Sequence, residues 1–222
     1  MDEVRRRIAG AASRSGRNPL EIRLIGVTKT LSAAVAREAV DLGLEDLGEN
    51  RIQEARDKVP DVGREAARWH LIGHLQRNKA GKAVELFDWI HSLDSEEVAE
   101  AVSRRAAAAG VVPYVLLEVN VSGEASKHGV SPGDAPRVAE RVAALQGIEF
   151  AGFMTIAPYS DRAEDARPHF AALRELRDSL QSRLGRPLPH LSMGMSGDFE
   201  IAVEEGSTMV RVGTALFGPR TA

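Results

Sequence analysis

Short apolar segments alternate along this chain with longer stretches in which hydrophobic residues recur at helical spacing. Eight such segments can be distinguished, and several are continuous rather than alternating, which is typical of parallel strands buried on both sides. They comprise residues 22–27, 44–47, 69–72, 87–90, 114–121, 148–153, 190–193 and 208–212. The pattern therefore predicts eight buried strands separated by helices.

The stretches between the predicted strands carry helix signals. Asp94-Ser-Glu-Glu97 resembles a capping box, and Gly110 ends the helix that it starts. Ser131-Pro132 predicts the start of another helix, with the proline in its first turn. A further helix, from residue 2 to about residue 13, precedes the first strand.

Strict alternation of strand and helix favours a parallel sheet. Eight such units in 222 residues fit a single (β/α)8 TIM barrel that spans residues 1–222 and carries an extra N-terminal helix. A doubly wound open sheet is the alternative. In the barrel, functional side chains are expected just after the strands, at their C-terminal ends.

Composition narrows the class of protein. The chain has 29 Lys and Arg against 32 Asp and Glu and only 5% aromatic residues, which is not the electrostatic footprint of a nucleic-acid binder. It has no cysteine, which excludes disulfides, thiolate nucleophiles, iron–sulfur clusters and cysteine-bound zinc. No apolar segment approaches the ~20 residues of a membrane span, and Met1-Asp2-Glu3 is unlike the start of a signal peptide. We therefore expect a cytoplasmic globular protein that binds neither nucleic acid nor membranes.

Lys29 ends the first predicted strand, where strand alternation puts it on the same face as Val27. An amine in a half-apolar barrel mouth loses its proton more easily, as a Schiff-base lysine must. The other four lysines lie in polar helical stretches or in a glycine-flanked loop: Lys58, Lys79, Lys82 and Lys127. The alternative for Lys29 is a side chain that extends from the strand end into solvent.

Two glycine-containing segments follow the last two predicted strands. Residues 191–198 include Ser196, and the other segment runs from Val210 through Gly213 to Thr214. Backbone N–H groups beside such small residues form anion cradles, and phosphate sites of TIM barrels commonly use these loops. With Lys29 adjacent once the barrel closes, the arrangement suits a phosphorylated aldehyde. The alternative is a pair of glycine turns with a Ser or Asp helix cap.

Other patterns are weaker. His70 and His74 are four residues apart but lack the glutamate of a metalloprotease helix, and we predict no metal site there. A small basic face at residues 77–82 is more typical of a solvated helix than of an RNA contact.

Seven motifs between about residue 22 and residue 218 match a known family. They are Leu24-Ile-Gly-Val-Thr-Lys29, Gly48-Glu-Asn-Arg-Ile-Gln-Glu54, Trp69-His-Leu-Ile-Gly-His-Leu-Gln-Arg-Asn-Lys79, His91-Ser-Leu-Asp94, Gly152-Phe-Met-Thr155, Ser192-Met-Gly-Met-Ser196 and Arg211-Val-Gly-Thr214. The chain thus resembles the pyridoxal phosphate homeostasis proteins, whose fold is similar to the N-terminal barrel of alanine racemase.

The resemblance implies roles for individual residues. Lys29 would hold pyridoxal 5′-phosphate (PLP) as an internal aldimine, and Arg211 would face its pyridine nitrogen. Ser196 and the backbone of Gly213 and Thr214 would hold the phosphate. Four further residues match motif positions around the pocket without an assigned contact: Asn50, His74, Ser92 and Met154.

The same resemblance favours a carrier over an enzyme. An arginine at the ring nitrogen donates and does not deprotonate, so the ring is a weak electron sink. No second domain is expected to supply a tyrosine base, and loop residue Tyr159 is only a weak substitute. We therefore expect no catalytic residue and a monomer that buffers PLP or delivers it to PLP-requiring apoenzymes. A PLP-dependent amino-acid racemase or decarboxylase is the alternative, and a cofactor-free lyase acting on a sugar phosphate through Lys29 is a third candidate.

Overall fold

The computed structural model describes residues 1–124 and 127–219. Its strands are β1 (Arg23–Val27), β2 (Asp46–Glu49), β3 (Arg68–Leu71), β4 (Trp89–Leu93), β5 (Tyr114–Glu118), β6 (Glu149–Met154), β7 (His190–Ser192) and β8 (Met209–Val212). Its α-helices are α1 (Asp2–Arg14), α2 (Ala33–Asp41), α3 (Ile52–Val62), α4 (Ala80–Leu86), α5 (Glu96–Ala109), α6 (Ala135–Ala143), α7 (Arg167–Leu184), α8 (Phe199–Glu204) and α9 (Thr214–Phe217).

The eight strands form one closed parallel barrel in sequence order. Closure joins the first strand to the last, because Ile25 of β1 is in register with Asp46 of β2 on one side and with Arg211 of β8 on the other. The predicted TIM barrel is confirmed and the open sheet is wrong. The extra N-terminal helix is confirmed as well, since α1 packs against α8 and buries Val4 and Ile8.

Most predicted strand boundaries are displaced from the observed ones by a few residues, as at β4, which was predicted at residues 87–90 and lies at Trp89–Leu93. Two of the boundary differences have a visible cause. β5 ends at Glu118 rather than at residue 121, because the chain beyond it folds back: the Asn120 N–H donates to the Val130 carbonyl at 2.9 Å. The helix predicted from Ser131 begins instead at Ala135, because the Ser131 hydroxyl accepts a hydrogen bond from the backbone N–H three residues later and closes a turn. Apolar composition alone does not show where a strand ladder ends.

The barrel separates two apolar layers. A large outer core lies between the strands and the surrounding helices, and a small inner cluster comprises Ile25, Trp89, Leu116, Ala151, Met154 and Met209. The rest of the interior carries buried polar side chains, among them His70, His91 and Arg211. In the described part of the chain, no helix has the length and apolar character that crossing a bilayer requires.

Candidate functional site

A cavity of about 490 Å³ opens at the C-terminal ends of the strands. This volume lies within the range of small-molecule sites. Six of the nine predicted site residues line it: Lys29, Asn50, Ser196, Arg211, Gly213 and Thr214. Apolar side chains such as Val27, Ile72 and Met195 form much of the remaining wall. The barrel therefore brings most of the predicted groups together in one concave site.

Lys29 lies where strand alternation predicts it. Ile25 belongs to the inner cluster, and Val27 and Lys29 follow on the same face and line the cavity. The lysine side chain is half-buried.

The backbone directly before Lys29 is fixed by a cluster of buried polar side chains. Lys58 of α3 donates to the Thr28 carbonyl at 2.5 Å and to Glu49 Oε1 at 2.6 Å, and the Thr28 hydroxyl donates to the same carboxylate oxygen at 2.6 Å. Burial raises the pKa of Glu49, although the ammonium of Lys58 and the hydroxyl of Thr28 oppose that rise. Lys58 lies in a helical stretch that is polar in sequence, but its side chain is 8% exposed and belongs to this buried cluster.

The backbone directly after Lys29 is also fixed. Thr30 has φ 65°, and it is the one residue other than glycine with positive φ in the described ranges 1–124 and 127–219. A β-branched residue is strained in this conformation. Its N–H donates to Glu54 Oε2 at 2.7 Å, which holds the strained turn in position. Lys29 thus projects from a backbone segment anchored on both sides.

The loops after β7 and β8 meet through Ser196. Its hydroxyl accepts hydrogen bonds from the backbone N–H groups of Gly213 at 3.2 Å and Ala215 at 3.3 Å. Because the oxygen accepts both bonds, the hydroxyl retains its own proton to donate. Gly194 permits the close approach of the first loop to α8: it has φ 94°, and a Cβ there would lie 2.5 Å from that of Ala202. The two loops form one joined wall of the cavity.

Arg211 reaches the cavity from inside the barrel and is 4% exposed. Its guanidinium donates to Ser192 Oγ at 2.6 Å and to the Thr155 carbonyl at 2.9 Å. Burial lowers its pKa to about 10, while the carboxylates of Asp198 and Glu118 oppose that shift. The group therefore stays protonated at neutral pH.

A chain of buried hydrogen bonds runs from Arg211 across the barrel interior, and we call it the interior chain. It links Arg211, Ser192, His91, His70 and Asp46. Ser192 Oγ lies 2.8 Å from His91 Nδ1, the two histidines meet at 2.9 Å, and His70 Nε2 lies 2.9 Å from Asp46 Oδ1.

The charges of the interior chain fix the direction of its hydrogen bonds. Burial opposes ionisation of Asp46, but hydrogen bonds from Arg68 and His70 hold its pKa well below the ordinary value. Burial also lowers the pKa of His70 and of His91, so both rings are neutral. His70 therefore donates to Asp46 and accepts from His91, which accepts from the Ser192 hydroxyl, which accepts from Arg211. Every member is satisfied, and the guanidinium has one supported orientation.

Three predicted site residues lie outside the cavity lining. Met154 is part of the inner cluster below it, and Ser92 is a buried residue of β4 whose hydroxyl donates to the Gly73 carbonyl at 2.7 Å. His74 lies exposed on the rim, with Nδ1 3.0 Å from Asp94 Oδ2. It does not approach His70, which is fully buried in the interior chain.

Sequence analysis missed several residues of the site. The interior chain could have been found by strand parity, since its polar residues interrupt apolar strands on their inward face. Lys127, Tyr159 and Arg162 line the cavity from long loops, and neither periodicity nor spacing indicated that. Glu118, 6% exposed at the end of β5 and outside the cavity lining, was not singled out either: burial and the nearby charge of Asp94 raise its pKa to about 7.

The sequence comparisons agree with this geometry. The model of the family described as "Alanine racemase, N-terminal domain" matches residues 1–221. A pyridoxal phosphate homeostasis protein of Aquifex aeolicus is 44% identical over 99% of this chain and 96% of its own length. The protein of that name from Escherichia coli K12 is 39% identical over 99% of this chain and 95% of its own.

Solved structures give the same result. The structure of PipY from Synechococcus elongatus PCC7942 with PLP bound superposes with a TM-score of 0.82 at 40% identity, covering 95% of this chain and all of the other. An alanine racemase of Clostridium difficile superposes with a TM-score of 0.76 over 98% of this chain and 60% of its own, but at 15% identity it shows only a shared fold. The barrel fold, the family model and the relatives at about 40% identity along the length of the chain show that it belongs to the family of pyridoxal phosphate homeostasis proteins.

Proposed function

We propose that this chain binds PLP in the cavity at the barrel mouth, attached covalently to Lys29, and that it buffers or delivers this cofactor in the cytoplasm. Its relatives are named pyridoxal phosphate homeostasis proteins, and the PipY structure contains bound PLP. The observation that carries the proposal is the convergence of Lys29, Ser196 and Arg211 on one cavity.

The donor set of the cavity fits this cofactor. PLP presents an aldehyde, a phosphate and a ring nitrogen, and the cavity offers an amine, a hydroxyl beside two glycine-containing loops, and a buried guanidinium. Asp198 also lines the cavity, but its carboxylate accepts the Met195 N–H at 2.6 Å. Ser196 and the backbone of Gly213 and Thr214 would hold the phosphate, which would take over the Gly213 N–H that donates to Ser196 Oγ.

The residues around the cavity favour holding the cofactor over transforming a substrate. When bound, PLP supplies a reactive aldehyde and an electron-withdrawing ring. Arg211 keeps its proton, so it would donate to the ring nitrogen and leave it unprotonated, which weakens electron withdrawal. Tyr159 is 92% exposed, and its hydroxyl donates to Asp161 at 3.1 Å. It is therefore not positioned as a base directed into the cavity. We accordingly assign no catalytic residue.

We further propose that the protein acts as a monomer, because Lys29, Ser196 and Arg211 already meet in one cavity within a single barrel. The recipients would be PLP-requiring apoenzymes. Transfer would begin when an incoming amine displaces the Lys29 amine, and the mouth of the cavity gives such an amine access.

One observation favours the alternative of an amino-acid racemase or decarboxylase. Lys127 also lines the cavity, 3.0 Å from Glu124, and a second amine could serve as a second base. Incubating the PLP-loaded protein with L-alanine in deuterium oxide separates the two functions. A carrier leaves the α-hydrogen and the configuration of alanine unchanged over many hours, whereas steady incorporation of deuterium or appearance of the D-enantiomer would favour the enzyme.

The covalent site is tested by adding PLP to the wild-type chain, reducing with borohydride and mapping the labelled peptide. We expect a visible absorption band in the wild type and label on Lys29, and loss of both in Lys29→Ala. Lys82→Ala is the matched control, because Lys82 is an exposed lysine that pairs with Glu85 on the outside of the barrel. A colourless wild type, or label on another lysine, would exclude the assignment and return the cofactor-free lyase to consideration.

A further inference from the structure

Three consecutive βα loops each contribute a metal-binding side chain to one point on the barrel rim. His74 follows β3, Asp94 follows β4, and His128 lies in the segment between β5 and α6. We call these residues the His–Asp–His cluster. They are separated along the chain, so only barrel closure brings them together, and none of them lines the cavity that contains Lys29.

The cluster is compact. His74 Nδ1 lies 3.0 Å from Asp94 Oδ2, and the rings of His74 and His128 stack with their centroids 4.0 Å apart and their planes 10° from parallel. One ligand atom from each of the three residues lies within 4.8 Å of the other two. The second oxygen of Asp94 is 3.4 Å from the Ser95 hydroxyl, which orients the carboxylate toward the histidines.

We propose that the His–Asp–His cluster is a binding site for a zinc ion or a similar divalent transition metal. Two imidazoles and one carboxylate are a common set of three protein ligands for zinc, with the fourth position left to water. Magnesium and calcium are disfavoured, because both prefer sets made of oxygen ligands.

The site closes on an ion by rotation of the two histidine rings out of their stack, so that both can direct a nitrogen at the metal. Ligands about 2.1 Å from a tetrahedral zinc ion are roughly 3.4 Å apart, so no separation in the cluster has to contract by more than about 1.4 Å. His74 and His128 are exposed and can make this adjustment by side-chain rotation, while Asp94 is the more buried anchor, with 14% of its side chain exposed. The backbone of the barrel can stay as it is.

A metal ion bound to the cluster would lie next to the cofactor cavity. His128 is adjacent to Lys127, which lines that cavity, so an ion bound to His128 would fix the approach of the Lys127 side chain. Asn50 lines both this cavity and a second depression that contains His74. The metal site would therefore adjoin the cofactor site without forming part of it, and its existence does not depend on PLP binding.

The proposal is tested with the metal alone on the full-length chain. The protein would be stripped with a chelator and titrated with ZnCl2 by calorimetry, and with CoCl2 by visible absorption, which reports the ligand geometry. We expect one bound ion per chain, and at least ~10-fold weaker binding in each of His74→Ala, Asp94→Asn and His128→Ala. His169→Ala on α7 is the matched control and should bind like the wild type.

Two results would overturn the proposal. One is the absence of saturable zinc binding by the wild type. The other is binding that all three cluster variants retain at wild-type strength, which would assign the ion to another part of the chain. The His74→Ala and His128→Ala variants change exposed side chains, so their thermal unfolding should match that of the wild type and loss of binding cannot be attributed to misfolding.

Discussion

The two sides of the barrel mouth use their polar residues differently. On the side of β8 and β1, Lys29 and Arg211 face one cavity. On the side of β3, β4 and β5, the Ser92 hydroxyl donates to the backbone carbonyl of Gly73, and His74 contacts Asp94 outside the cavity. Both sides carry polar groups at the C-terminal ends of strands, so that position alone does not make a residue part of the cofactor site.

What distinguishes the β8–β1 side is buried support. Lys29 follows a backbone carbonyl held by Lys58, and Arg211 ends the interior chain that begins at Asp46. His74 on the other side has an exposed ring that contacts Asp94 and stacks on His128. A preorganised binding group requires neighbours that fix its orientation. The burial of those neighbours predicts which substitutions lower the free energy of unfolding most.

The largest effect is expected for Lys58→Met behind the β8–β1 side. It removes the cation from a buried pair, leaves Glu49 uncompensated, and should lower the free energy of unfolding by about 4 kcal/mol at pH 8. Urea unfolding followed by circular dichroism measures this change. The double variant Glu49→Met/Lys58→Met should recover most of the loss. An equal loss in Lys82→Met, a substitution on the exposed surface, would contradict the explanation.

A somewhat smaller effect is expected for His91→Leu in the interior chain. The substitution leaves the Ser192 hydroxyl and a ring nitrogen of His70 without partners, and should lower the free energy of unfolding by about 3 kcal/mol. It should also weaken PLP binding, because Ser192 no longer orients Arg211. Denaturant unfolding and a PLP titration test the two effects. Unchanged PLP affinity would show that Arg211 is oriented without the interior chain.

Glu118 ends β5 on the β3–β5 side and makes the stability of that side depend on pH. Its pKa is about 7 in the folded protein against an ordinary value of 4.5, so between these pH values the folded state holds a proton that the unfolded chain has lost. Stability from this group is present below about pH 4.5 and is lost as pH rises through 7. Glu118→Gln should therefore gain about 2 kcal/mol relative to wild type between pH 5 and pH 8. The same stability difference at both pH values would exclude this role.

The smallest effect is expected for His74→Ala on the β3–β5 side. The exposed ring makes a partly solvated hydrogen-bonding contact with Asp94 and stacks on the exposed ring of His128, so the free energy of unfolding should change by less than about 0.5 kcal/mol in metal-free buffer. PLP affinity should stay within twofold of wild type. A large loss of PLP binding in this variant would mean that the two sides of the mouth act as one site.

The fold was largely predictable because its signals are local. Apolar segments, helix caps and the alternation of the two define a parallel barrel without reference to distant residues, and β1 to β8 follow the predicted segments closely. Several boundaries were displaced by a few residues, and those at β5 and α6 are set by a chain reversal and by the Ser131 turn, respectively. The inward direction of Lys29 was predictable from strand parity, which is also a local property.

The rest of the site depends on contacts between residues far apart in the chain. The interior chain joins β2, β3, β4, β7 and β8 and exists only after the barrel has closed. The burial of Lys58 depends on how α3 packs behind β1 and β2, and a polar helical pattern gives no sign of it. The His–Asp–His cluster likewise depends on three loop conformations.

The sequence by itself determined the number and order of the elements, the closed-barrel class, and the strand face from which Lys29 reaches the mouth. These follow from periodicity and chirality, which act over a few residues. The tertiary structure alone decided which strand-end groups share the cavity, which are taken up in structural hydrogen bonds, and which meet on the rim. The physical reason is that barrel register and loop packing fix distances across the mouth, and no local pattern encodes them.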